Sequence, residues 1–399
     1  MRLSKWKKVK LGDLCQINKN AYSVSEKWKF VNYLDTGNLT EDQIQQLQYI
    51  ETEKDKLPSR ARRKVKYDDI LYSTVRPNQH HYGIIKEIVP NMLVSTGFAV
   101  ISVDKSKADS DFIYYYLTQT EIIETLHVIG EQSTSAYPSI KPSDITNLEL
   151  FLPPLEEQKE ISRVLRLLDK KIANNKKINH HLEQMAMAIF KSWFIDFEQF
   201  GGRMPSDWRI ANLTDIAEYL NGLAMQKYRP LDDEEGLPVL KIKELRQGTF
   251  DSSSDLCSAK INSQYIVKDG DVIFSWSGSL LVDFWTGGTG GLNQHLFKVS
   301  SQNYDKWFYY SWTKYHLEEF AAIAADKATT MGHITRSSLE KAEVLIPNNQ
   351  DYKFLALLLA PIYDQIIYNR VENHRLMEAR NTLLPKLLSG EICVNQATK

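Results

Sequence analysis

The chain of 399 residues repeats itself once, and this repeat constrains the fold more than any other feature of the sequence. At a shift of 202 positions, Trp6 falls on Trp208 and the segment VKYDDILYS falls on VKDGDVIFS. At a shift of 194 positions, the segment ELFLP ending at Pro153 falls on EVLIP ending at Pro347. Solenoid repeats are only about 20–50 residues long. The pattern therefore predicts a duplicated domain whose loops differ in length between the two copies.

A long helix is predicted at the end of each copy. After Pro153 and Pro154, about 40 residues contain no glycine or proline, and their apolar residues recur in alternating steps of four and three, the spacing of a coiled-coil seam. Two asparagines occupy matching seam positions in both helices. The predicted seam residues are Ile161, Leu165, Leu168, Ile172, Asn175, Asn179, Leu182 and Ile189 in the first helix and Leu359, Ile362, Ile366, Asn369, Asn373, Leu376 and Leu383 in the second.

Matched asparagine layers indicate that the two helices pack on each other, because seam asparagines often fix the register of a coiled coil. The packing is antiparallel if an approximate two-fold axis relates the copies. The alternative is two amphipathic helices that each cover a domain face. Pro361 lies inside the second helical segment and predicts a kink or a later helix start there.

These patterns predict an α/β fold with two similar globular domains, separated by two long helices packed as an antiparallel coiled coil with pseudo-two-fold symmetry. The apolar runs with β-branched and aromatic residues predict buried strands in both copies. The predicted globular domains are residues 1–152 and 201–346, and the predicted helical segments are residues 153–200 and 347–399.

Composition and motifs exclude several classes of protein. The net charge is −1, so any contact with nucleic acid must rest on clustered positive charge. The three cysteines are far apart without metal-ligand spacing, which favours a reducing cytoplasm. We found no signal-peptide pattern, no apolar run of about 18 residues, no nucleotide-binding glycine motif and no methyltransferase motif. The sequence therefore predicts no membrane span, no catalytic residues, no cofactor and no metal site.

Three segments resemble a known family. FLPPLEEQKEI at the start of the first long helix resembles the central conserved region of type I restriction-modification specificity subunits. FKSWFIDFEQF followed by MPSDWRIANLTDIA resembles the exit of that region into a second recognition domain, and RNTLLPKLLSGEI resembles the closing helix of the family. The resemblance covers nearly the whole chain.

The resemblance implies a non-catalytic DNA specificity subunit. Residues 1–152 and 201–346 would be target recognition domains, each reading one half of an interrupted, asymmetric site in double-stranded DNA. The helices would be the spacer and would recruit two modification subunits with adenine methyltransferase activity. Restriction subunits with nuclease and translocase activity would join the full complex. A helical spacer also fits the geometry of DNA, because two domains that bind successive major grooves must lie about 34–36 Å apart.

Polar and cationic residues on predicted loops are the candidates for DNA contact, because cations bind phosphates and polar side chains read base edges. Solvated loops without contact to DNA are the alternative for each. In the first domain, the candidates are Arg60, Arg62, Arg63, Lys64, Arg76, Asn78, Gln79, His80, Thr134, Ser135, Tyr137 and Lys141. In the second domain, they are Trp276, Ser277, Asn293, Gln294, His295, Lys327, Thr329, Thr330, His333 and Arg336.

Two other functions remain open from the residues. A fused restriction-methylation enzyme would methylate DNA as a purified chain with a methyl donor. A coiled-coil adaptor without DNA contact would show no salt-dependent DNA binding, whereas a DNA reader loses affinity steeply as salt rises.

Overall fold

A computed structural model describes residues 6–133, 137–326 and 334–394. The chain divides into two compact units, with residues 1–170 and 378–399 in the first unit and residues 171–377 in the second. Two helices contribute to both units: α4 (Leu155–Phe194) ends the first repeat and α10 (Asn349–Leu388) ends the second.

The first unit combines twelve described strands with three shorter helices. The strands are β1 (Lys7–Lys10), β2 (Cys15–Ile17), β3 (Phe30–Leu34), β4 (Leu39–Thr40), β5 (Gln43–Ile44), β6 (Gln48–Glu51), β7 (Ala61–Lys64), β8 (Ile70–Ser73), β9 (Tyr82–Ile84), β10 (Met92–Ser95), β11 (Phe98–Val103) and β12 (Glu149–Leu152). The helices are α1 (Ser110–Leu117), α2 (Thr120–Glu131) and α3 (Pro142–Thr146), with short 3-10 turns at Leu11–Asp13, Val24–Glu26, Thr36–Asn38 and Pro77–Gln79.

The second unit has the same kinds of element in nearly the same order. Its strands are β13 (Arg209–Asn212), β14 (Glu218–Asn221), β15 (Leu237–Leu240), β16 (Leu256–Cys257), β17 (Ile266–Val267), β18 (Val272–Ser275), β19 (Leu281–Phe284), β20 (Gly290–Leu292), β21 (Leu296–Ser300) and β22 (Glu343–Ile346). Its helices are α5 (Leu213–Ile216), α6 (Ile242–Gln247), α7 (Lys306–Tyr315), α8 (Leu317–Asp326) and α9 (Arg336–Leu339), with 3-10 turns at Glu198–Phe200, Met225–Lys227 and Ser263–Tyr265.

The two units contain equivalent sheets. The first unit has the strand orders β2-β11-β8-β9 and β6-β3-β10-β7 and the pair β1-β12. The second has β14-β21-β18-β19 and β16-β15-β20-β17 and the pair β13-β22. Only the small β4-β5 hairpin of the first unit lacks a described counterpart. The predicted duplication of an α/β domain is therefore confirmed.

The same turn leads into the buried central strand of each unit. The backbone N–H of Lys66 donates to Oδ2 of Asp69 at 2.8 Å, and that of Lys268 donates to Oδ2 of Asp271 at 2.9 Å. The residue before each aspartate has a positive φ, 70° at Asp68 and 86° at Gly270. Aspartate and glycine are among the residues that adopt this left-handed conformation most readily. The repeated VKxxD segment thus encodes the turn as well as the strand.

Each core includes both long helices. In the first unit, Leu165 of α4 and Leu387 of α10 are fully buried in one cluster with Phe112 of α1. In the second unit, Phe190 of α4 and Leu359 of α10 are buried in the cluster around the second sheet. Apolar burial stabilises at about 25 cal/mol per Å², so the helices are integral parts of both units.

The long helices pair in antiparallel orientation. Asp169 of α4 bonds to Arg380 of α10 in the first unit, and in the second unit Asn175 bonds to Asn373 and Asn179 to Asn369. As the residue number on α4 rises from 169 to 179, the number of its partner on α10 falls from 380 to 369, so the two helices run antiparallel. All fifteen predicted seam residues are buried or half-buried.

Helix α10 begins at Asn349 and continues through Pro361, so the later start predicted from this proline is wrong. Proline removes one backbone hydrogen bond from a helix interior. Burial of Leu355, Leu359 and Tyr363 on both sides of Pro361 holds the helix together across that gap.

Candidate nucleic-acid interface

Each unit joins the loop after its central strand to the segment that enters a short helix. The backbone N–H of Ile140 donates to the carbonyl of Thr74 at 2.8 Å, and that of Ile334 donates to the carbonyl of Trp276 at 3.1 Å. We call the surface formed by residues 60–64, 74–81, 95–97 and 137–141 the first recognition surface. The second recognition surface comprises residues 276–280, 293–295 and 334–336. Most of the predicted DNA contacts lie on these two surfaces.

A tight turn at residues 95–97 organises the first recognition surface. The carbonyl of Gly97 accepts from the backbone N–H of Thr74 at 2.8 Å, and the carbonyl of Arg60 accepts from that of Thr96 at 2.9 Å. The cationic strand and the loop after β8 therefore flank one turn. Thr96 is exposed there and was missed by the sequence analysis, although alignment of β10–β11 with β20–β21 matches its turn to the predicted Asn293–His295.

Arg76 is held in an unusual conformation beside Tyr137. Its φ is 48° and its ψ is 68°, a left-handed backbone that is uncommon outside glycine. Its N–H donates to the carbonyl of Pro138 at 2.9 Å, and its guanidinium carbon lies 5.2 Å from the ring centre of Tyr137. Asn78 and Gln79 follow on an exposed 3-10 turn. A planar cation and two side-chain amides are thus presented together.

The histidine doublet has two different environments. Nδ1 of His80 lies 2.8 Å from Oε1 of Glu41, and this hydrogen bond raises the pKa of His80. Nδ1 of His81 donates to the carbonyl of Leu39 at 2.7 Å. His81 is therefore a structural link to the β4-β5 hairpin, whereas the carboxylate of Glu41 favours the protonated form of His80.

The cationic run does not present four equal charges. Arg63 pairs with Val94 and Ala61 with Ser95, so Arg62 is the extra residue of a β-bulge, a feature that often redirects a side chain. Among the described residues, Nε of Arg63 is buried without a hydrogen-bond partner, and burial lowers the pKa of its guanidinium. Arg60 is exposed at the start of the run.

Lys64 is already engaged within the first unit. Its ammonium group forms an ion pair with Glu26 and lies 5.2 Å from the ring centre of Trp28. The hydrogen bond that the Lys64 ammonium donates to Glu26 lowers the pKa of this glutamate. Arg60 and Arg62 are consequently the cations of this run with the most freedom to reach a phosphate.

The second recognition surface is built around a tryptophan. Nε1 of Trp276 donates to Oδ1 of Asn221 at 3.1 Å, and its ring stacks on Phe297 with the ring centres 5.6 Å apart. Oγ of Ser277 lies 3.0 Å from Nδ1 of His295. The half-buried indole is thus fixed beside a hydroxyl–imidazole pair.

Asn293 is buried in the second unit, whereas Gln294 is half-buried. Asn293 is 4% exposed, and its Oδ1 accepts from the N–H of His295 at 3.2 Å. A cavity of about 320 Å³ adjoins Asn293 and is also lined by Gln226, Arg229 and Lys241. Gln226 and Arg229 were not predicted, because they come from a distant segment that only the folded chain brings to Asn293.

The remaining predicted contacts lie at the edges or outside the described residues. Lys141 is exposed before α3, and the Arg336 side chain is 85% exposed with Nε 3.7 Å from Oε1 of Glu340. The following predicted residues lie outside the described ranges: Thr134, Ser135, Lys327, Thr329, Thr330 and His333.

Within the described ranges, no group of three or more His, Cys, Asp or Glu side chains could hold a metal ion. No helix within those ranges is long and apolar enough to cross a membrane.

Comparison with known proteins shows similarity along most of the chain. A family model described as the type I restriction modification DNA specificity domain matches residues 3–184 and again 205–375. The HindI specificity subunit of Haemophilus influenzae is 23% identical over 98% of this chain and all of the relative, and the MjaIX specificity subunit of Methanocaldococcus jannaschii is 29% identical over 76% of this chain and 74% of the relative. The crystal structure of a type I restriction-modification S subunit from M. genitalium has the same fold, with a TM-score of 0.58, 14% identity and 96% of both chains covered.

Proposed function

Because the chain belongs to the type I restriction modification DNA specificity family, we propose that it recognises a bipartite, interrupted and asymmetric DNA site. We also propose that it scaffolds two adenine methyltransferase subunits and the restriction subunits. Its role is DNA sequence specificity, and the chain is a non-catalytic component, as its relatives are specificity subunits. In this proposal residues 1–152 and 201–346 read the half-sites, and residues 153–200 and 347–399 form the spacer.

The observation that carries the proposal is the repeated recognition surface. Both units join the loop after the central strand to the segment before a short helix through the same backbone bond, Ile140 to Thr74 and Ile334 to Trp276. Equivalent loops on equivalent sheets favour equivalent tasks. Their side chains differ, which favours two half-sites of different sequence.

The chemistry of each surface suits contact with DNA. Arg76 carries a guanidinium that can bond two acceptors of guanine, and the amides of Asn78 and Gln79 can bond adenine in the same bidentate way. On the second surface, Trp276 offers an apolar face suited to a thymine methyl group, while Ser277 and His295 offer polar atoms. Arg60 and Arg62 would position the backbone through phosphates.

An exposed apolar stripe supports the scaffold part of the proposal. Phe354, Leu357 and Leu358 lie at helical spacing on α10 and are 49%, 77% and 40% exposed. Apolar residues at such spacing are the usual anchors of a helix that binds another helix. We propose that a modification subunit covers this stripe. The counterparts on α4 are Glu160, Arg163 and Val164, so the equivalent face of α4 is more polar than this stripe.

The test is long-read detection of methylated adenine in a host that expresses the neighbouring modification subunit, with and without this chain. We expect a new interrupted motif with two dissimilar halves and a methylated adenine in each. A continuous motif would contradict the bipartite site and point to a fused or unrelated reader. Absence of any motif, with the modification subunit expressed and folded, would support an adaptor without DNA contact.

Two controls in vitro separate those outcomes. The purified chain with a methyl donor should not methylate DNA, whereas a fused enzyme would. The complex with modification subunits should bind DNA with an affinity that falls steeply between about 50 and 200 mM salt, because bound phosphates release counterions. An adaptor would show no such dependence.

A further inference from the structure

One arginine joins three elements of the second unit. Arg370 of α10 donates from Nη1 to Oδ1 of Asp283 on β19 at 2.7 Å and from Nη2 to Oε1 of Glu183 on α4 at 2.9 Å. The arginine side chain is only 26% exposed. A single guanidinium therefore connects the sheet of the recognition domain to both long helices.

One carboxylate does the same in the first unit. Asp169 of α4 accepts from Nη1 of Arg380 on α10 at 2.9 Å and from the hydroxyl of Tyr115 on α1 at 2.5 Å. Its side chain is 22% exposed. Here an anion connects the recognition domain to both helices, with the charges reversed relative to the second unit.

A second arginine strengthens the attachment in the first unit. Arg166 of α4 donates from Nε and Nη2 to Oδ1 of Asp111 at 2.8 and 2.6 Å and from Nη1 to Oδ2 of Asp42 at 3.0 Å. Its guanidinium carbon lies 5.2 Å from the ring centre of Tyr114. Planar guanidinium groups with several aligned hydrogen bonds lose little freedom per bond and hold their partners in a defined geometry.

These connections do not derive from the duplication, because the repeat counterparts of the two residues do not make them. At the shift of 194 that relates the helices, the counterpart of Arg370 is Lys176 and the counterpart of Asp169 is Tyr363. Lys176 is exposed, and Tyr363 instead bonds Ser311. We call Arg370 and Asp169, with the groups that each of them bonds, the two hubs. The hubs differ in charge and lie at non-equivalent positions, yet each connects a recognition domain to both long helices. The apolar packing that the two units share does not explain this.

We propose that Arg370 and Asp169 are positioning residues that lock each recognition domain onto the long helices and thereby restrict the DNA site to one gap length. This inference rests on the proposed bipartite site. One base pair more or less moves the second half-site by about 3.4 Å and turns it by about 35° around the duplex. A domain held by a hub cannot follow that movement, whereas a domain held by apolar packing alone can turn.

Removal of a hub leaves its partners in an unfavourable arrangement. Without Arg370, the carboxylates of Glu183 and Asp283 lose the cation that both of them bond, and nearby like charges repel each other. The recognition domain and α4 are then pushed apart at this point. The bases that the domain reads are untouched, because neither Arg370 nor Asp169 belongs to a recognition surface.

The experiment measures methylation by the complete complex with its modification subunits on duplexes that differ only in gap length. The wild-type gap is compared with gaps one base pair longer and shorter for Arg370→Gln and Asp169→Asn. We expect discrimination against the altered gaps to fall about tenfold in each variant, equivalent to about 1.4 kcal/mol, with both half-site sequences retained. Lys176→Gln, at the repeat counterpart of Arg370, should keep full discrimination.

Each outcome decides between defined alternatives. Unchanged gap discrimination in both variants, or altered bases with an unchanged gap, overturns the positioning role. If Arg370→Gln does not fold, as shown by its thermal unfolding, Arg370→Lys takes its place, because it keeps the charge but loses the planar fork. Gap discrimination equal to that of the wild type in Arg370→Lys would then overturn the proposal. A continuous methylation motif for the wild type would instead defeat the proposed function itself before any variant is compared.

Discussion

The two units share a scaffold but carry different surfaces. Both have the strand orders that follow from the repeat. The first recognition surface presents cations and amides around Arg76, whereas the second presents Trp276 and a hydroxyl–imidazole pair. At the shift of 202, Arg62 and Arg63 of β7 correspond to Gln264 and Tyr265, which lie in the 3-10 turn before β17. The scaffold thus tolerates wide change in its loops, as the proposal of two different half-sites requires.

The strongest test of the shared scaffold is a pair of equivalent core substitutions. Leu165 and Leu359 are fully buried and lie 194 positions apart. We expect Leu165→Ala and Leu359→Ala each to lower the free energy of unfolding by about 2–5 kcal/mol, because each leaves a cavity. Urea denaturation followed by tryptophan fluorescence measures the loss. The exposed Leu167→Ala is the control, and a neutral result at either buried position would show that the units do not use the helices alike.

The asparagine layers sharpen the comparison, because they lie in the second unit, whereas the first unit joins its helices through Asp169 and Arg380. We expect Asn179→Leu to lower the free energy of unfolding by about 1–3 kcal/mol, since Asn369 loses its buried acceptor. The double variant Asn179→Leu/Asn369→Leu should recover most of this loss. Equal destabilisation in the single and double variants, measured by the same denaturation, would contradict a paired layer.

The difference in charge predicts that the first half-site carries more of the salt dependence. We expect Arg62→Ala to weaken binding to all DNA sequences alike and to reduce the slope of log affinity against log salt by about 1, the value for one phosphate contact. Gln264→Ala, the repeat counterpart in the second unit, should leave the slope unchanged. Equilibrium binding at several salt concentrations measures both. Parallel slopes for Arg62→Ala and the wild type would rule out the phosphate contact.

The smallest expected effect distinguishes His80 of the first recognition surface from His295 of the second. The Glu41 carboxylate raises the pKa of His80, whereas His295 has a serine hydroxyl as its neighbour. The folded state raises the pKa of His80, so the pair with Glu41 stabilises the folded protein fully below the ordinary histidine pKa of about 6.5. This stabilisation is lost as pH rises through the raised pKa. Glu41→Gln should lower the pKa of His80 in an NMR titration. An unchanged titration curve would exclude the pair.

The sequence predicted the features that depend on regular spacing. The repeat predicted two copies of one α/β domain, and the steps of four and three predicted the residues between the helices, including Asn175 and Asn179. These predictions succeed because periodic burial is written into the residues themselves. The turn before each central strand, with Asp68 and Gly270 at positive φ, was not predicted.

Features that depend on distant partners could not be predicted. Lys64 bonds Glu26, 38 positions earlier in the chain, and no local pattern indicates that this cation is engaged. The β-bulge at Arg62 arises from its register with β10. Thr96 was missed because the shift between the copies changes inside the loops, so its match to the turn at Asn293–His295 becomes visible only when the strands are aligned in space.

The pairing of the asparagines makes the seam self-complementary. Asn175 bonds the repeat counterpart of Asn179, and Asn179 bonds that of Asn175. Each helix therefore carries both halves of the contact and could match a second copy of itself, as surfaces related by two-fold symmetry do. Covalent linkage in one chain raises the effective concentration of the intended partner. Chain connectivity, together with the non-equivalent contacts of Asp169 and Arg370, thus selects the intramolecular pair over exchange between molecules.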